Sequence, residues 1–310
     1  VLQLQGEQAV RKRRLAWFST ISLLLLGLTF LANSCHETIQ QHDKIGVVVS
    51  IAPQSEFVEA VGGEKVTVSV MVPPGADPHT YEPTPSQIVE LSKAKMYAEV
   101  GSGLEFELAW MEKISQQNKN MLVVDCAKGI QLMEGDEDSH YESQGEHHRG
   151  TDPHIWLSPK DAKIMVENIA AGLMAVDPEN ESYYAQGRDL YVAKLAALDE
   201  DIKNGLAGVT NRRFIVFHPA WGYFAADYDL EEIPIEIGSK EPSAKDIAAV
   251  IQKAKEFDIK IIFAEPEFNP RSAEAIAQEI DGEVVFIDPL ARDYISNMRL
   301  VLNDLIRAME

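Results

Sequence analysis

Residues 177–208 read DPENESYYAQGRDLYVAKLAALDEDIKNGLAG, and this stretch divides the chain. Asp177 followed by Pro178 is a helix start: a capping side chain, then the residue whose missing N–H is tolerated at the first helical position. No further proline interrupts the stretch, and Tyr184, Leu190, Tyr191, Leu195 and Leu198 recur at helical spacing. A helix over residues 178–207 extends about 40 Å at 1.5 Å per residue. Such a length exceeds the usual globular helix and predicts a connection between two lobes.

On both sides of this helix, short apolar runs alternate with amphipathic segments. Before it, strands are predicted at 46–50, 66–72, 96–100 and 121–124, with helices at 53–61, 85–94 and 106–115. Thr84 and Ser158 read as helix caps, each followed by proline. After it, strands are predicted at 214–217, 233–237, 261–264 and 284–287, with helices at 243–257, 272–280 and 294–309. Strands alternating with helices predict βαβ units. The expected fold is therefore α/β, with two βα lobes of mostly parallel sheets. The N-terminal lobe covers 45–177, the linking helix 178–207 and the C-terminal lobe 208–310.

The N-terminus reads as an export leader over residues 1–34, followed by a polar tether over 35–44. Arg11 to Arg14 form a basic cluster, and residues 15–31 carry no charge. Ala32-Asn33-Ser34-Cys35 follows, as in a lipoprotein signal, so a lipid anchor on Cys35 is the first expectation, an uncleaved N-terminal membrane anchor the second and ordinary cleavage the third. All three place the folded domain outside the cytoplasm. Cys126 then has no partner and reads as a buried small hydrophobe. The formal charge of −21 argues against nucleic acid as a partner, because phosphate binding requires basic patches.

Residues 134–150 lose all apolar period. Acidic residues there alternate with His140, His147 and His148, which predicts an acidic, histidine-bearing loop.

Three of the eight histidines stand beside prolines: His79 after Asp77-Pro78, His154 after Asp152-Pro153, and His218 before Pro219. Asp288 before Pro289 is a fourth polar residue of this kind. His218 and Asp288 directly follow predicted strands, and His79 and His154 lie in connections that leave strands. All four would sit beyond the carboxyl ends of strands, where open α/β sheets bind ligands. Three imidazoles and one carboxylate suit a tetrahedral zinc ion and leave no open position for catalysis. A single loop histidine is more often a surface or hydrogen-bonded core residue, and Asp288 reads on local grounds first as a helix cap. A zinc hydrolase would need Glu265 or Glu82 as its base, and the chain carries no His-Glu-x-x-His helix.

The words around these residues are more specific. PGADPHTYEPTP (74–85) resembles the first metal-ligand motif of the zinc- and manganese-specific periplasmic solute-binding proteins of ABC importers. DPHIWLSP (152–159) resembles the second, FHPAWGYF (217–224) the third and FIDPL (286–290) the fourth; FAEPEF (263–268), with Glu265, resembles a segment near the family's site. The resemblance implies two lobes joined by one rigid helix, with metal held in the cleft between them by His79, His154, His218 and Asp288. Glu265 is implied to stand just behind these ligands. Manganese-type members often carry glutamate where this chain has His218, and imidazole favours zinc over manganese. The loop with His140, His147 and His148 resembles the histidine-rich loop of zinc-type members and implies an auxiliary metal site. The implied role is a monomeric, non-enzymatic receptor that hands its ion to a membrane permease with a cytoplasmic ATPase. Manganese or iron is the alternative cargo. Attachment as a metal-dependent adhesin is the alternative role.

Overall fold

The computed structural model describes residues 44–135, 150–236 and 242–309. The leader with Cys35 and the loop histidines His140, His147 and His148 lie outside the described residues.

The first sheet contains β1 (Ile45–Val49), β2 (Val66–Val70), β3 (Met96–Glu99) and β4 (Leu122–Asp125), all parallel in the order β2-β1-β3-β4. Helices α1 (Ala52–Gly62), α2 (Pro85–Leu91), α3 (Glu105–Gln117) and α4 (Pro159–Val176) accompany it, and α5 (Glu181–Leu206) follows. The second sheet repeats the same topology with β5 (Arg213–Val216), β6 (Glu231–Pro234), β7 (Ile261–Ala264) and β8 (Glu283–Phe286), in the order β6-β5-β7-β8. Its helices are α6 (Gly222–Asp227), α7 (Ala244–Glu256), α8 (Arg271–Glu279) and α9 (Tyr294–Met309). Central strands such as Ile-Gly-Val-Val-Val are apolar throughout because parallel strands are covered on both faces.

Helix starts follow the local chemistry. Thr84, Ser158 and Ser243 each accept a hydrogen bond from the N–H three residues on. Asp177-Pro178 first makes a short 3-10 turn (Pro178–Asn180), and the α-helix proper begins at Glu181. Helix α2 ends at Leu91, three residues short of the expected 94, where the Asn118 side chain donates to the carbonyls of Leu91 and Ala94. The strand expected at 233–237 runs instead from Glu231 to Pro234. Its charged start is held by the Arg213–Glu231 ion pair at 2.6 Å. Proline is tolerated there because β6 is an edge strand.

Helix α5 packs on α1, α4 and α9 through Tyr184, Tyr191, Leu195, Leu198, Ile202 and Leu206. Leu190 is not part of this stripe; it is 61% exposed, because Tyr191 occupies the inward position. One apolar core continues from the first sheet through α5 to Phe214, Val216 and Phe263 of the second, while Ile215, Ile262 and their neighbours pack on α7 and α8 in a separate cluster. Polar ties between the halves reinforce the shared core. Trp156 Nε1 donates to the Pro289 carbonyl at 2.8 Å, and the Tyr223 hydroxyl donates to the Asp152 carbonyl at 2.9 Å. Glu56 of α1 accepts from the Tyr191 hydroxyl at 2.8 Å and from the Tyr294 N–H. Cys126 is fully buried, as expected.

Gly187 allows α5 to lie against α1. A Cβ there would fall on the Val61 carbonyl oxygen and within 2.9 Å of Val61 Cα. Alanine is favoured over glycine in a helix interior by about 1 kcal/mol. Gly187→Ala is nevertheless expected to lower stability by about 1–3 kcal/mol through overpacking against backbone. A urea midpoint at or above that of the parent protein would contradict this contact.

Candidate metal centre

Two histidines are presented by the same local device. In Asp77-Pro78-His79 the Asp77 carboxylate accepts the His79 N–H at 2.8 Å, and in Asp152-Pro153-His154 the Asp152 carboxylate accepts the His154 N–H at 2.9 Å. Aspartate before proline favours this turn, since the residue preceding proline is kept extended and the short carboxylate reaches the N–H two residues on. His218 arrives differently. It stands just past the end of β5, where Phe217 N–H still pairs with the Phe263 carbonyl at 2.8 Å.

The three imidazoles meet. His79 Nε2 lies 3.2 Å from His218 Nε2, and His218 Nε2 lies 3.3 Å from His154 Nε2. All three nitrogens fall within 4.8 Å of one another, and among the described residues this is the one such group of potential metal ligands. A tetrahedral ion 2.0–2.1 Å from each nitrogen spaces those nitrogens about 3.3 Å apart. The two separations to His218 therefore match a single small cation.

The other ring nitrogens explain why the Nε2 atoms face one another. His79 Nδ1 is 2.8 Å from Glu105, His154 Nδ1 is 2.8 Å from Asp152, and His218 Nδ1 is 2.6 Å from Glu236. An ionised carboxylate only accepts, so each Nδ1 donates and each Nε2 is left with its lone pair. Phe268 stacks on His218 with ring centroids 4.9 Å apart and fixes the plane of that ring. Burial pushes His218 down to about 4; the Glu236 hydrogen bond opposes this, and the two neighbouring imidazoles add to it. For His79 burial acts downward too, but the hydrogen bond and charge of Glu105 outweigh it and raise the group. Glu105 is held below its ordinary value, the His79 hydrogen bond overcoming burial. His79 therefore favours a proton and His218 resists one.

Asp288 does not join the three-histidine group. Its carboxylate accepts the Leu290 N–H at 2.8 Å, the same Asp-Pro-x turn that carries His79 and His154. The helix-cap role expected on local grounds is not realised, because α9 begins only at Tyr294. Asp288 is half-buried and close enough for its charge to raise Glu267, which burial first pushes up to about 7. Glu265 is fully buried under His218. It accepts the His218 N–H at 3.3 Å, and burial pushes it far up, with Glu232 and Glu267 adding. Glu82 is exposed. An antiparallel bridge joins Glu134 to Thr151, three residues before His154.

Sequence reading missed Glu105, Glu236 and the ring contact of Asp152. Asp152 was visible two residues before His154. Glu236 follows β6 as His218 follows β5, and these strands are neighbours, but the strand expected at 233–237 hid it. Glu105 opens α3 and carried no sign of its partner.

Residues 47–308 match the family model described as zinc-uptake complex component A, periplasmic. The high-affinity zinc uptake system protein ZnuA of Bacillus subtilis is 34% identical over 253 residues, covering 80% of this chain and 79% of that protein. A crystal structure of ZnuA superposes with a TM-score of 0.81 at 41% identity, over 86% of this chain and 100% of that one. A ZnuA deletion mutant with zinc bound superposes with a TM-score of 0.79, again at 41% identity, over 86% of this chain and 99% of that one. With two parallel-sheet lobes, a long helix between them in the chain and three converging histidines, this chain belongs to the zinc-uptake complex component A family of periplasmic proteins.

Proposed function

We propose that the protein captures one zinc ion outside the cytoplasmic membrane and delivers it to the permease of an ABC importer driven by a cytoplasmic ATPase. The observation that carries this reading is the convergence of three imidazoles, with His218 Nε2 3.2 Å and 3.3 Å from its two neighbours and each ring braced by a carboxylate. His79, His154 and His218 are the ligands. Asp288 supplies the fourth, because its turn commits only one carboxylate oxygen to Leu290. Glu265 braces the backbone of His218 from behind. A filled shell of three imidazoles and one carboxylate holds the ion without an open position, so the protein is a receptor and not a hydrolase.

Imidazole at His218 favours zinc over manganese, which prefers a harder, oxygen-rich shell. The matches to zinc-uptake proteins favour transport over the adhesin role. Cys35 carries a lipid anchor that keeps the receptor at the membrane, and His140, His147 and His148 serve as an auxiliary metal-collecting group.

Competition titration of the mature domain is expected to show one tight zinc site, with manganese displaced. His79→Ala, His154→Ala and His218→Ala should each weaken zinc by more than the roughly 10–100-fold typical of losing an outer partner. Asp288→Asn should cost less than any of them. A His218→Ala protein with unaltered zinc affinity would sink the assignment.

Zinc must also displace a proton. His79 is the imidazole raised above the ordinary 6.5, and it takes the first proton as pH falls. Zinc affinity is expected to be level above the raised His79 value and to decline as pH drops through it, with the decline beginning above pH 6.5. Constant affinity between pH 8 and pH 6 would contradict a neutral His79 ligand.

A further inference from the structure

We infer that Glu107, which touches none of the three imidazoles, positions two of them by locking the crevice at the centre of the first sheet.

A sheet whose strand order reverses opens a crevice at the carboxyl ends of its two central strands, and ligands usually occupy it. Here the central pairs are β1/β3 and β5/β7. Neither lobe leaves its crevice free. In the second lobe Glu265, just past β7, bonds to the backbone of His218, just past β5. In the first lobe the space is taken by Glu107 from α3, which is 5% exposed. Its carboxylate accepts the N–H of Val100 at 2.6 Å, the N–H of Gly101 at 2.9 Å and the hydroxyl of Ser50. Ser50 is itself fully buried, and its hydroxyl also meets the Tyr97 hydroxyl at 2.9 Å. One carboxylate thus ties the residue after β1 to the residues after β3.

Two short arms run from this lock to the metal centre. The first is the turn after β3. Gly101 and Gly103 have φ of +81° and +102°, values that glycine adopts freely. Between them Ser102 donates its hydroxyl to the Pro153 carbonyl at 2.6 Å, and its own carbonyl accepts from Thr151 Oγ1 at 2.6 Å. Ser102 therefore grips the chain on both sides of Asp152 and directly before His154. The second arm is the first turn of α3. Leu104 at the N-cap supplies no side-chain hydrogen bond, so the start of this helix is anchored by Glu107 instead. Glu105, two residues earlier, holds His79 Nδ1. A carboxylate is costly to bury unless several donors meet it, and this one meets three. An apolar residue could fill the volume, but it could not join the ends of β1 and β3.

This inference rests on the zinc-capture reading, and one set of zinc competition titrations separates the two. Glu107→Gln keeps the shape but turns an N–H towards groups that must donate. It is expected to weaken zinc about tenfold, at the low end for an outer partner, while circular dichroism remains that of the folded parent. The decisive readout is coupling. Combined with Glu105→Gln, the joint loss should fall short of the product of the two single losses, because part of the Glu107 effect passes through the Glu105–His79 arm. Combined with Glu236→Gln, on the other lobe, the losses should multiply. A general structural weakening would treat both partners alike. Folded Glu107→Gln protein with parental affinity, or losses that multiply with Glu105→Gln, would overturn the inference. Should Glu107→Gln fail to fold, Ser50→Ala removes one donor and keeps the carboxylate. It is expected to weaken zinc several-fold with the same pattern of coupling, and parental affinity or an inverted pattern overturns the proposal equally. If the parent protein itself bound no zinc, the capture reading would fall first and this inference with it.

Discussion

Three imidazole nitrogens with their lone pairs turned towards one point are the constraint from which the site follows. Left alone, such a group would repel itself and rotate apart. It stays assembled because every ring is fixed on its far side by a carboxylate, at 2.6–2.8 Å, from Glu105, Asp152 or Glu236. The rings are also almost dry, with side-chain exposures of 11%, 6% and 7% for His79, His154 and His218. Burial without a cation is unfavourable for the acids, and burial with several cations is unfavourable for the imidazoles. One centrally placed positive charge relieves both, whether it is a shared proton or a metal ion.

This arrangement demands that parts of the chain far apart in sequence be held to within a fraction of an ångström. Parallel sheets deliver it, because every strand of a lobe ends on the same side and hands its next residues to the cleft. The common core around α5 then fixes one cleft wall against the other. The His154 segment shows how tightly. It is gripped by Ser102 from its own lobe, at Thr151 and Pro153, and by Tyr223 and Pro289 from the other. A wide rotation of the lobes would have to break these bonds and open the shared core.

How much of this could be read from sequence depended on the range of the interaction. Helix caps at Thr84 and Ser158 and the strand–helix alternation were legible, because each is decided within a few residues. His79, His154 and His218 were legible as a set because proline-flanked histidines recurred after strands. The braces were not. Glu105 and His79 are 26 residues apart, and His218 and Glu236 18 apart, and no local pattern marks such pairs. Leu190 misled for a related reason. It keeps the helical period but has Tyr191 as its neighbour, and only packing decides which of the two turns inward. Asp288 was legible as special but not in its role, since the same Asp-Pro pair can cap a helix, close a turn or bind a cation. The structure makes the turn and not the cap, and the turn leaves one carboxylate oxygen uncommitted.

The two lobes share a topology and differ in how they use it. Each places a buried acid at its central crevice, Glu107 in the first and Glu265 in the second. In the second lobe the acid bonds directly to the backbone of a histidine of the cluster. In the first it works one step removed, through a turn that grips the His154 segment and a helix start that carries the partner of His79. The difference follows from chain geometry. His218 sits immediately after a central strand, whereas His79 and His154 come from long connections that no strand end can hold. Long connections have more conformations to lose, and they need an anchor that the sheet itself does not supply. A carboxylate with donors on three sides provides such an anchor where an apolar side chain would only fill space. The acidity spent inside the first lobe is therefore as much part of the metal centre as the carboxylates that touch its rings.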